Sequence, residues 1–127
     1  MYITKLKENQ IFVFGSNLAG RHGRGAAKQA LKWGAKYGQG EGLMGQTYGI
    51  PTKDRKLRVL SIEQIRSKVD RFIEFAKLNP DLEFLVTPIG CGLAGYRYKD
   101  IAPLFKDALN ISNIILPKEF LEILKKG

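Results

Sequence analysis

The sequence predicts one α/β domain in three layers, with helices packed on both faces of a sheet. Three observations carry this reading. Two short apolar runs, residues 11–14 (IFVF) and 84–89 (FLVTPI), have the β-branched and aromatic content of buried parallel strands. Each run ends directly in a glycine-rich loop. Helical patterns lie between the runs, and strands alternating with helices build α/β layers. A chain of 127 residues has room for one hydrophobic core, so residues 1–127 are read as a single domain.

The remaining elements follow in order. Residues 2–6 are a candidate edge strand. Residues 25–36 (GAAKQALKWGAK) place Ala27, Ala30, Leu31 and Ala35 on one helical face, with Lys28, Lys32 and Lys36 four apart on another. Residues 47–51 (TYGIP) are a further strand candidate. Ser61 opens the clearest helix, because Gln64 stands three residues later as a capping box. Ile62, Ile65, Val69, Phe72, Ile73 and Ala76 recur there at helical spacing, and Asn79-Pro80 ends the pattern. Asp100 is the expected cap of a helix carrying Ile101, Leu104, Phe105 and Ala108, with Pro103 tolerated in its first turn. Residues 113–116 (NIIL) suggest another strand, and Pro117 begins a last helix through Phe120, Leu121 and Leu124.

Composition narrows the class of function. The apolar fraction of 44% and charged fraction of 26% are those of an ordinary folded protein. No run approaches the length of a membrane helix, and residues 1–10 lack the apolar core of a signal peptide. Cys91 is the only cysteine and has no partner for an internal disulfide, and no Cys/His cluster shows zinc spacing. The expectation is a cytoplasmic, reduced protein with no metal, no cofactor and no membrane partner. The formal charge of +9 suits anionic partners: nucleotides, nucleic acids or acidic surfaces. Basic residues are scattered over most of the chain, so any nucleic-acid contact is expected to be weak and salt-sensitive.

Twelve of the fourteen glycines, clustered in three segments, give the sharper signal. Residues 15–25 (GSNLAGRHGRG) leave a strand and enter a helix, so their amides form a favourable anion site. No Gly-Lys-Ser/Thr follows, and Gly15, Gly20, Gly23 and Gly25 do not have dinucleotide-fingerprint spacing. Such a loop is long for a mere connector, whose usual length is about 2–6 residues. Residues 38–49 (GQGEGLMGQTYG) read as ligand loop or mobile surface loop. Residues 90–95 (GCGLAG) again join a strand to a helix. In α/β folds the ligand lies at the carboxyl ends of the strands, where the first and third segments emerge.

The run FGSNLAGRHGRGAAKQAL resembles the macro-domain loop, in which an asparagine precedes a glycine-rich turn and an alanine-rich helix. TPIGCGLAGYRYKDIAPLF is similar to the second phosphate loop of the branch containing terminal ADP-ribose protein glycohydrolase and ADP-ribose-1″-phosphate phosphatase. YGIPTKD stands where that branch has a strand followed by Thr-Lys, and the resemblance spans roughly residues 11–109. It implies a three-layer fold with a mixed central sheet and helices on both faces. It further implies that the ligand is ADP-ribose or a derivative, contacted by Gly15, Ser16, Asn17, Leu18, Gly20, Gly23, Gly25 and Ala26. From the other loop it implies contacts by Gly90, Cys91, Gly92, Leu93, Ala94, Gly95 and Tyr96.

Asn17 both donates and accepts, as a ribose diol requires, or else completes its own turn. His22 is the only histidine, a near-neutral proton carrier in the loop expected to face the ligand, and is the first candidate for catalysis. Arg21 and Arg24 flank it as candidate phosphate partners. Lys53 is the second catalytic candidate, because in the glycohydrolase branch a lysine here attacks the ribose with help from an aspartate. This chain has Ala94 at the aspartate's place, leaving Asp54 or Asp100 as the available carboxylates. Cys91 is a nucleophile or, more simply, a small buried residue, and Tyr96 and Tyr98 serve as adenine platforms or as core. The expected function is hydrolysis of an ADP-ribose derivative, with a non-catalytic ADP-ribose reader and a basic nucleic-acid-binding domain as alternatives.

Overall fold

Alternation along the first strand decides the architecture. In the computed structural model, which describes residues 3–126, β1 (Gln10–Asn17) turns Ile11 and Val13 to one face of the sheet and Phe12 and Phe14 to the other. Both sets are buried, as the period of two requires of a strand covered on both faces. β1 is the centre of a mixed five-stranded sheet. β3 (Thr47–Lys53) and β4 (Glu83–Val86) flank it in parallel. β2 (Gly42–Met44) adds an antiparallel edge to β3, and β5 (Ile114–Ile115) a parallel edge to β4.

The larger core lies on the Ile11/Val13 face. It is built by α2 (Ile62–Leu78), by a short helix α3 (Tyr98–Ile101) continued as a 3-10 helix over Ala102–Asn110, and by α4 (Lys118–Lys126). The Ser61 capping box forms: the Ser61 hydroxyl accepts from the Gln64 backbone amide at 3.2 Å and the Gln64 side-chain Oε1 from the Ser61 backbone amide at 2.9 Å. Phe72 stands at the centre, edge-on to Phe84 and Phe105. The smaller core on the Phe12/Phe14 face is closed by α1 (Gly25–Ala30). No helix among the described residues is long and apolar enough to cross a membrane.

Four expectations about elements change, the first being the strand over residues 84–89, which ends at Val86 because Pro88 has no amide to give a ladder. The helix over residues 25–36 stops early: α1 passes into a 3-10 turn over Leu31–Trp33, and Gly34 at φ 113 reverses the chain. The Ala35 amide bonds back to Ala30 and the Gly34 amide to Leu31, a Schellman closure that apolar spacing alone does not reveal. Asp100 is not the residue before its helix but the third within it, its carboxylate accepting from the Arg97 amide at 2.9 Å. Of the candidate edge strand, Tyr2 lies outside the described residues and residues 3–6 form no strand; Ile3 and Leu6 pack against the smaller core.

The second glycine-rich segment is scaffold. The Ser16 hydroxyl donates to the Gly40 carbonyl, and the Gly38 amide donates to the Gly20 carbonyl at 3.0 Å. Residues 38–40 therefore sit directly beneath the first loop and hold it against the end of β1.

Candidate functional site

The carboxyl ends of β1, β3 and β4 meet at one edge of the sheet, and a cavity of ≈ 530 Å³ opens there. That is the position and size at which α/β folds bind small ligands. The connection from β1 to β3 runs through α1 on one face, and the connection from β3 to β4 through α2 on the other. The first glycine loop leaves β1 for α1 on one face and the other leaves β4 for α3 on the opposite face, so the crevice lies between them.

Each wall comes from a different element. From the end of β1 and the following loop come Gly15, Ser16, Asn17, Arg21, Gly23 and Arg24, with Gly25, Ala26 and Ala27 from the start of α1. Thr52 and Lys53 come from β3, where a bulge opposite Ser16 and Asn17 shifts the register by one residue. The third wall is Thr87, Pro88, Gly90, Gly92, Leu93 and Ala94. Gly90 has φ 75, and a Cβ there would stand 3.1 Å from Ile101, so this turn suits glycine twice over.

The hydroxyls of the cavity are occupied in holding its shape. Ser16 donates to Gly40, Thr52 to the Ser16 carbonyl at 3.2 Å, and Thr87 to the Val13 carbonyl at 2.8 Å. Asn17 donates to the Arg21 carbonyl at 2.7 Å and accepts from the Arg21 amide at 2.9 Å, which closes its own loop. These two bonds use half of the hydrogen-bonding capacity of its side chain. Among the described residues three cations, Arg21, Arg24 and Lys53, line the space and no carboxylate does. The site therefore attracts anions.

Several expected site residues lie elsewhere. His22 does not line the cavity: it is 0% exposed, its Nε2 lies 2.7 Å from the Lys36 carbonyl oxygen and 3.0 Å from that of Gln39, and its ring packs edge-on to Phe14. Facing two carbonyls, Nε2 carries the proton, and the ring ties the first loop to the 36–39 segment. Leu18 and Gly20 are in the same loop but away from the cavity, Leu18 donating its amide to the Lys53 carbonyl at 2.9 Å. Cys91 and Gly95 are also outside the lining, and burial pushes the Cys91 thiol up to about 11, with Asp100 and Glu119 adding to the effect. It is thus a protonated thiol at neutral pH, not an activated nucleophile. Tyr96 packs against the larger core and donates its hydroxyl to the Leu60 carbonyl at 2.6 Å.

Neither candidate carboxylate enters the cavity. Asp54 braces the turn after β3, accepting from the Lys56 and Arg58 amides and from the Arg58 guanidinium. These bonds, the Arg58 amide first, hold its carboxyl below the usual aspartate range. Asp100 is likewise held low, chiefly by the Arg97 amide.

Sequence reasoning missed five lining residues: Ala27, Thr52, Thr87, Pro88 and Leu57. The same turn carries Leu57 to the cavity rim, 40% exposed and at φ 64, the left-handed region that non-glycine residues avoid. Nothing in residues 54–58 signals that conformation, because glycine or asparagine is what such a position usually carries. Comparison of the chain with protein-family models, with curated proteins and with solved structures gives no match.

Proposed function

We propose that this cavity binds ADP-ribose or a close derivative. The observation that carries the reading is the meeting of two glycine-rich strand-to-helix loops on a cavity with three cations and no carboxylate. The diphosphate would lie between the loops, within reach of Arg21 and Arg24, and the ribose distal to it near Asn17 and Lys53. Two glycines support the same reading from another side. Gly23 and Gly92 line the cavity, have no positive φ, and would meet nothing within 4 Å if given a Cβ. Neither conformation nor packing within the protein requires glycine at these positions, whereas close approach of a ligand to the backbone does.

The test is thermal unfolding with ADP-ribose. A ligand at about 100 times its dissociation constant adds about 2.7 kcal/mol to apparent stability. For a domain of this size the melting temperature is expected to rise by roughly 5–15 °C. Gly92→Leu is expected to melt within about 2 °C of the parent alone and to lose the ADP-ribose shift, since its new side chain fills only ligand space. No shift of the parent protein at millimolar ADP-ribose would sink the proposal.

Hydrolysis is a second reading, and Lys53 is its one support: among the described residues it is the only amine lining the cavity. With His22 in the core and no carboxylate beside Lys53, the cavity holds no second proton carrier, so binding is the better-supported function. If ADP-ribosyl peptide or ADP-ribose-1″-phosphate is turned over, Lys53→Ala is expected to lower the rate by about 10²–10⁴ while the ADP-ribose melting shift persists. Undiminished turnover in that variant would remove Lys53 from the chemistry.

A further inference from the structure

The net charge is divided unevenly between the two parts of the chain. Residues 1–58 hold eleven Lys/Arg against three Asp/Glu, and residues 59–127 hold ten against nine. The first part thus carries a net +8 of the +9. Ion pairing sharpens the contrast: among the described residues only Arg58 of the first part pairs with a carboxylate, while Lys68, Arg71, Lys77, Arg97 and Lys118 of the second do. Even Glu41, one of the three acids of the first part, is taken up by Lys68 and Arg71 of α2, at 3.1 and 3.3 Å. Lys28 and Lys32 stand exposed on α1 and its 3-10 turn, with Lys36 and Tyr37 just beyond Gly34. Arg21 and Arg24, exposed in the loop that enters α1, line the cavity.

We propose that this α1 side of the molecule is a binding surface for the backbone of a single-stranded nucleic acid. A stripe of cations without counter-charges binds a polyanion by releasing its condensed counter-ions. The single strand is favoured by Tyr37, a residue 64% exposed whose ring packs on one side against His22, 5.7 Å away centre to centre, and whose hydroxyl donates to the His22 carbonyl at 3.4 Å. A fixed, open aromatic face beside lysines is what an unpaired base stacks on. An anionic membrane fits less well, because the small residues of α1, Ala27 and Ala30, are buried against β1 and the outward side offers no apolar stripe to insert. The surface does not rest on the nucleotide reading, since Lys28, Lys32, Lys36 and Tyr37 are not cavity residues.

The experiment is fluorescence anisotropy of a labelled single-stranded RNA of about 20 nucleotides, titrated from about 50 to 200 mM salt. The triple variant K28Q/K32Q/K36Q is expected to bind at least about tenfold more weakly at low salt, with the slope of log K against log salt reduced by about 2. The triple K77Q/K106Q/K125Q, taken from the other side, is expected to change affinity less than about twofold. Tyr37→Ala is expected to weaken single-strand binding about fivefold or more and duplex binding hardly at all. Melting temperatures of all variants, read with and without ADP-ribose, separate loss of this surface from loss of fold or of the cavity. Three results would overturn the proposal: no RNA binding at about 50 mM salt, equal losses in the two triples, or tighter binding to phosphatidylserine vesicles than to RNA.

Discussion

Gly40→Ala is expected to leave little folded protein. A Cβ on Gly40 would overlap the carbonyl oxygen of Asn17 and lie 2.8 Å from its carbonyl carbon and 3.3 Å from the Leu18 Cα. These are backbone atoms at the end of the central strand, so no rotamer change can clear the space. Relief requires the 38–40 segment to lift off β1, which breaks the Ser16 bond to Gly40 and exposes the underside of the first loop. Overpacking in a core usually costs about 1–3 kcal/mol through side-chain adjustment. A main-chain collision belongs in the exceptional class above about 4 kcal/mol. Against a total of about 5–15 kcal/mol for a domain, that loss leaves the fold marginal. The control is Gly38→Ala, where φ is 91 but nothing lies within 4 Å, and about 1–2 kcal/mol is expected for the left-handed conformation alone. Urea unfolding of the two variants separates these values. Equal midpoints would mean that the two loops do not pack as described.

That collision marks the boundary of what the sequence reveals about this molecule. The buried strands were legible because Ile11, Val13, Phe12 and Phe14 are apolar on both faces, a pattern that sheets covered on both sides demand. The capping box at Ser61 and Gln64 was legible because it is local, three residues apart. The convergence of residues 15–25, Lys53 and residues 90–95 on one edge followed from each segment's place after a strand. What stayed hidden depends on partners distant in sequence. Gly40 reads as part of a loose glycine-rich stretch until Asn17 is placed against it. The polarity of His22 suggested an outward side chain, but its partners are the carbonyls of residues 36 and 39, which no side-chain pattern announces. Charge behaved the same way. The pairing of Glu41 with Lys68 and Arg71 joins residues 27 and 30 positions apart, and no local pattern announces it.

His22→Ala is expected to act on stability first and on the cavity only as a consequence. The ring fills space between Phe14, 5.5 Å away centre to centre, and Tyr37 at 5.7 Å, and its Nε2 serves the carbonyls of Lys36 and Gln39. Removal leaves a void in the smaller core and two carbonyls without their donor, which together are worth about 2–4 kcal/mol. The melting temperature is expected to fall by roughly 10 °C. His22→Gln keeps an N–H donor but not the aromatic contacts, and is expected to recover part of the loss. Because Arg21, Gly23 and Arg24 flank this anchor and line the cavity, ADP-ribose affinity is expected to weaken in proportion to the loosening and to return with the Gln variant. A histidine acting as a proton carrier in the cavity predicts the opposite pattern: unchanged melting, unchanged affinity and a loss confined to turnover. Calorimetry of the three proteins, with and without ADP-ribose, distinguishes the two. An Ala variant that melts with the parent would show that His22 is not the pin between the loops.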